Sequence, residues 1–145
     1  MNAIENPVLV HEIPKEERYK GSSLTENMAQ EFLKKIDVLI DEKKCYLEPE
    51  LTLGDLSNMS GVPSRYLSQI INQYKNKSFF DYINGLRVNY ACNLLINDNK
   101  KTVLEILYES GFNSKTSFNT SFKKHTGLNP SEYKARFKKS IPSKK

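Results

Sequence analysis

The stretches TLGDLSNMSGVPSRYLSQIINQY (52–74) and TVLEILYESGFNSKTSFNTSFKKH (102–125) are two copies of one pattern, and their reading decides the fold. Setting Leu53 against Val103 also pairs Thr52 with Thr102, Leu56 with Ile106 and Gly61 with Gly111. One extra residue in the second turn moves the offset to 51, which pairs Leu67 with Phe118, Ile71 with Phe122, Ser78 with Asn129 and Asp81-Tyr82 with Glu132-Tyr133. Each copy opens with a threonine three residues ahead of a carboxylate, Thr52 with Asp55 and Thr102 with Glu105. The hydroxyl accepts from a backbone N–H of the first turn and the carboxylate reaches back to the cap's own N–H, so both sites predict helix starts. Each helix then meets a glycine, Gly61 or Gly111, suited to a positive φ just past a helix end because it has no Cβ. Val62 and Phe112 follow as apolar plugs, and the second helices carry apolar residues at Leu67, Ile70, Ile71 and Tyr74, or Phe118 and Phe122. Both copies are therefore read as a helix, a tight turn and a second helix.

The opposite faces of the second helices carry different chemistry. The first copy has Ser64, Arg65, Ser68, Gln69 and Asn72 there, and the second has Lys115, Thr116, Asn119, Thr120 and Lys123. These side chains bond base edges and phosphates by type. Charge is distributed to match: residues 100–145 hold 11 Lys/Arg against 3 Asp/Glu, whereas residues 1–99 hold 11 against 14. The second copy and its tail are thus expected to supply much of the attraction for a polyanion.

At these residues the chain resembles the AraC-type family of bacterial transcription regulators, most closely in GFNSKTSFNTSFKKHTGLNPSEY (111–133), and the resemblance runs from about Leu24 to Phe137. It implies an all-α fold of seven helices, in which two helix-turn-helix subdomains are joined by a long linker helix. It also implies that the second helix of each subdomain enters the major groove of double-stranded DNA. By matched position, Arg65, Ser68 and Gln69 in one helix and Lys115, Thr116, Asn119 and Thr120 in the other are implied to contact bases. Phosphate contacts are expected from Ser64, Asn72, Lys123 and Lys124. Ser57 and Leu107 stand where such proteins commonly have alanine, and Gln69 and Thr120 where arginine is frequent.

The remaining chain is read as helix, with no window of sustained strand-like alternation. A flexible arm or sensor linker (1–22) precedes a DNA-binding domain (23–139), and a basic tail (140–145) follows it. A first helix is expected from about Thr25 to Lys44, with Ser23 and Glu26 as its capping box and Met28, Phe32, Ile36, Leu39 and Ile40 as its apolar stripe. The linker helix should run from about Phe79 to Asn97, begun by Ser78 and ended by Asn97-Asp98-Asn99. The last should start at Asn129-Pro130, a capping residue followed by proline at the first helical position, and fade near Phe137.

Other chemistries find little support. Cys45 and Cys92 have no metal-ligand spacing, and His11 and His125 are not placed as a pair, so neither a metal nor a cofactor is expected. No nucleophile with a base and no phosphate-cradling glycine loop is visible, which argues against an enzyme. Neither a signal peptide nor a membrane span is seen, and a cytoplasmic location is expected. The alternative to DNA binding is a helical protein-interaction module for a sensor or RNA polymerase. Such a groove should expose apolar anchors at helical spacing, whereas these outer faces are polar. Family resemblance further implies an N-terminal sensor domain outside this chain, and the absence of a heptad repeat predicts a monomer.

Overall fold

The computed structural model describes residues 22–97 and 100–138, all of whose regular structure is helical. The expected arm up to residue 21, the Asp98-Asn99 stop and the tail beyond 138 lie outside the described residues. Among the described residues seven α-helices follow in order: α1 (Glu26–Asp41), α2 (Leu53–Ser60), α3 (Ser64–Lys75), α4 (Phe79–Asn97), α5 (Val103–Glu109), α6 (Lys115–Thr126) and α7 (Pro130–Phe137), with a 3-10 turn at Cys45–Leu47.

Most of the predicted signals act as the sequence implied. Thr52 and Thr102 each accept from the backbone N–H three residues on, and Asp55 and Glu105 each return a bond to the threonine N–H. Asn129 and Glu132 form a third such box, with Pro130 behind the cap. Gly61 and Gly111 adopt φ of 78° and 95°. Helix α1 departs from expectation at both ends. Thr25, not Ser23, is its cap, accepting from Met28, while the Ser23 hydroxyl is hydrogen-bonded to Tyr66. It also stops at Asp41, three residues early, because Lys44 turns to a positive φ and opens the 3-10 turn.

Two cores result, one per subdomain. Ile36 and Ile40 of α1 close over Leu56, Val62, Leu67, Ile70 and Ile71 in the first. In the second, Ile106, Leu107, Phe112, Phe118 and Phe122 pack together. Helix α4 serves both, giving Tyr82 and Ile83 to the first and Val88, Ala91, Cys92 and Leu95 to the second. That double duty explains why its apolar residues do not form one stripe: a helix covered on several sides is apolar on several sides. Val62 and Phe112 are buried plugs. Leu107 is buried in the second core, and the Ser57 hydroxyl donates to the Val62 carbonyl at 2.6 Å, tying α2 to the turn.

Candidate nucleic-acid interface

Helix α3 presents Ser64, Arg65 and Ser68 to solvent, and α6 presents Lys115, Thr116, Asn119, Thr120, Lys123 and Lys124. Both helices are held by their apolar sides. Tyr66, Leu67, Ile70 and Ile71 are buried beneath α3, and Phe118 and Phe122 beneath α6. A rigid mounting of this kind fixes side chains that must meet bases in one register. Helix α6 is additionally capped by Ser114, whose hydroxyl accepts from Ser117, and it ends in Lys123, Lys124 and His125.

Arg65 is prearranged. Its guanidinium lies 4.6 Å over the Tyr66 ring and donates to the Tyr66 hydroxyl at 3.1 Å. Tyr66 in turn meets the Ser23 hydroxyl, and these hydrogen bonds from Ser23 and Arg65 lower the phenol's pKa. Helical periodicity alone does not reveal this aromatic platform.

Gln69 is placed differently from its exposed neighbours. Only 7% of its surface is accessible. Its Oε1 accepts from Ser22 at 2.8 Å, and its Nε2 donates to Gln73 at 3.3 Å. Helical spacing puts Gln69 near Arg65, but the segment before α1 covers it, and local periodicity holds no trace of so distant a contact. Asn72 is half-buried. Lys124 is exposed yet paired, its Nζ 2.8 Å from Asp81 of α4. This bond, ahead of the charge itself, holds the Asp81 carboxyl below its ordinary pKa.

His125 is half-buried, with Nδ1 at 2.9 Å from the Ser121 carbonyl. Its ring rests on Gly85 of α4, where a Cβ would lie 3.0 Å from Nε2. Cys45 and Cys92 are free thiols, each pushed upward in pKa mainly by burial. Among the described residues no cluster of metal-ligating side chains occurs, and no helix is long and apolar enough to cross a membrane.

A family model described as a helix-turn-helix domain matches residues 56–136, more than half the chain and nearly all of both helix pairs. The chain belongs to the AraC-type helix-turn-helix family. Among curated AraC-type relatives, the melibiose operon regulatory protein of Escherichia coli K12 is 27% identical over 84 residues, which are 58% of this chain and 28% of that protein. The chain therefore spans little more than a quarter of that regulator's length. An AraC-type DNA-binding domain protein from Chromobacterium violaceum superposes with a TM-score of 0.65 at 26% identity, over 77% of this chain and 96% of that one. The DNA-binding domain of AdpA, solved in complex with a target DNA, shares the fold with a TM-score of 0.63 at 17% identity, over 73% and 91% of the two chains.

Proposed function

We propose that this chain is the DNA-binding module of a transcription regulator, and that α3 and α6 lie in successive major grooves on one face of a duplex. The observation that carries the reading is the pair of outward faces, each on the second helix of a capped, glycine-turned helix pair and each made of side chains that bond bases or phosphate. Two recognition helices on one linker helix would read segments about one helical turn, or roughly 34 Å, apart. The AdpA complex with DNA supports DNA as the partner class. Arg65, Ser68, Lys115, Thr116, Asn119 and Thr120 are the base readers in this reading, with Gln69 reaching DNA only if residues 22–24 move aside. Ser64, Asn72, Lys123 and Lys124 are the phosphate anchors.

A protein partner on another face is the second reading. Leu104 and Tyr108, one turn apart on α5, are 45% and 55% exposed, as anchors for a sensor or RNA polymerase would be. Control would come from outside the module, through a sensor that pairs two copies on DNA and raises their effective concentration. Selection of bound sequences from a random DNA pool by the purified chain tests the main reading. An enriched asymmetric site about two turns long is expected; recovery of no common sequence would refute it.

A further inference from the structure

We propose that Arg87 is a positioning residue that fixes the distance and rotation between the two reading helices, and so sets the half-site spacing this protein accepts. The inference rests on the reading that both units engage one duplex. With two separate cores threaded on one helix, contacts besides α4 help hold their relative angle, since long helices are rarely straight.

Arg87 stands among those contacts. It is the one charged residue buried in α4, with 8% of its surface exposed. Its Nε donates to the Tyr46 carbonyl at 2.7 Å and its Nη2 to the Glu48 carbonyl at 2.8 Å, so both bonds go to the turn that leads into the first unit. Its Nη1 donates to Asn84 at 3.0 Å, which locks the fork to its own helix. On its other side the guanidinium lies 5.9 Å from the ring of Phe112, the plug of the second unit.

The turn of the second unit closes on the same point. A Cβ on Gly111 would lie 2.6 Å from the Tyr46 carbonyl oxygen and 3.0 Å from both Arg87 Nε and Leu47 Cα. The backbone of one unit's turn therefore touches the entry turn of the other with no room for a methyl group. Asn113 and Glu50 add an exposed bond at 3.4 Å across the same joint. A planar guanidinium with fixed donors suits two carbonyls at a set angle, which a single ammonium does not reproduce.

The test uses the full chain and the site enriched from a random pool, with base pairs inserted between its halves. Each insertion moves the second half-site by about 3.4 Å and about a tenth of a turn. The wild type is expected to lose at least about tenfold in affinity for one insertion, a loss on the scale of a mismatched base pair. Arg87→Met should bind the native spacing about tenfold more weakly while its spacing preference falls below about threefold, with base preference inside each half-site unchanged. Asn84→Ala, which frees one arm of the fork, gives the same trend at smaller size and serves if Arg87→Met does not fold by circular dichroism. A folded variant that keeps the full spacing penalty overturns the role of Arg87 and leaves the two-unit reading standing. A wild type indifferent to spacing overturns the two-unit reading itself, and this proposal with it.

Discussion

Phe118→Ala is expected to melt one half of the molecule before the other. Phe118 is 1% exposed, with its ring centroid 5.2 Å from that of Phe112 and 5.5 Å from that of Phe122. Truncating a phenylalanine in such a site costs about 3–5 kcal/mol, counting both the lost transfer energy and the cavity. Whole-domain stabilities are only about 5–15 kcal/mol, so a large share disappears. The loss stays local, because Phe118 belongs to the core built from α5, α6 and the C-terminal half of α4, while α1, α2 and α3 close a separate core. With a urea slope of about 2 kcal/mol per molar, the midpoint of the second unit should fall by about 1.5–2.5 M. Far-ultraviolet circular dichroism in urea would then show two steps in place of one. Amide hydrogen exchange would show lost protection in α5, α6 and α7, with α2 and α3 still protected. A shift worth less than about 1 kcal/mol, or equal loss of protection in both units, would refute the division into two cores.

Four further outcomes follow from single side chains. Arg65→Ala should cost about 1–3 kcal/mol in binding and relax preference at one base pair, whereas Lys123→Ala should weaken all sequences alike and reduce the salt slope by about one; binding titrations across sequences and salt distinguish them. Thr102→Ala removes the hydroxyl that accepts from Glu105 at 3.1 Å and should cost about 1 kcal/mol in a thermal melt, with Thr102→Ser restoring most of it. Asp81→Asn should release Lys124 and raise DNA affinity at low salt. Since the folded Asp81 pKa is lowered by the Lys124 bond, its stabilising contribution is present above the ordinary carboxylate pKa and fades as pH falls through the folded value. Melts of wild type and variant should therefore converge toward acid, and a gap that widens there would contradict the pairing.

Local signals were the most legible. Capping boxes at Thr52 and Thr102, the Asn129-Pro130 helix start, the glycine turns and the Phe79–Asn97 helix all depend on residues within a few positions of each other, which periodicity and side-chain chemistry reveal. The cap of α1 is ambiguous in the sequence because two hydroxyls compete there: Thr25 wins the cap, and the Ser23 hydroxyl is drawn to Tyr66 on another helix. The burial of Gln69 was illegible for the same reason, since its cover comes from a segment 47 residues upstream; Tyr66 as a platform for the adjacent Arg65 is local, but a stacking contact leaves no mark in periodicity. Arg87 did leave a sign. A lone arginine in a helix apolar on several sides marks a buried polar joint, but the partners it binds are backbone carbonyls, which carry no sequence signature.

Hydroxyl-radical footprinting of the wild-type chain on its selected site separates two reading helices on one face of DNA from any other arrangement. Two protected patches centred about 10–10.5 base pairs apart on the same face are predicted, with Arg65→Ala weakening one patch and Asn119→Ala the other. A single protected groove, or two patches on opposite faces of the duplex, would contradict it.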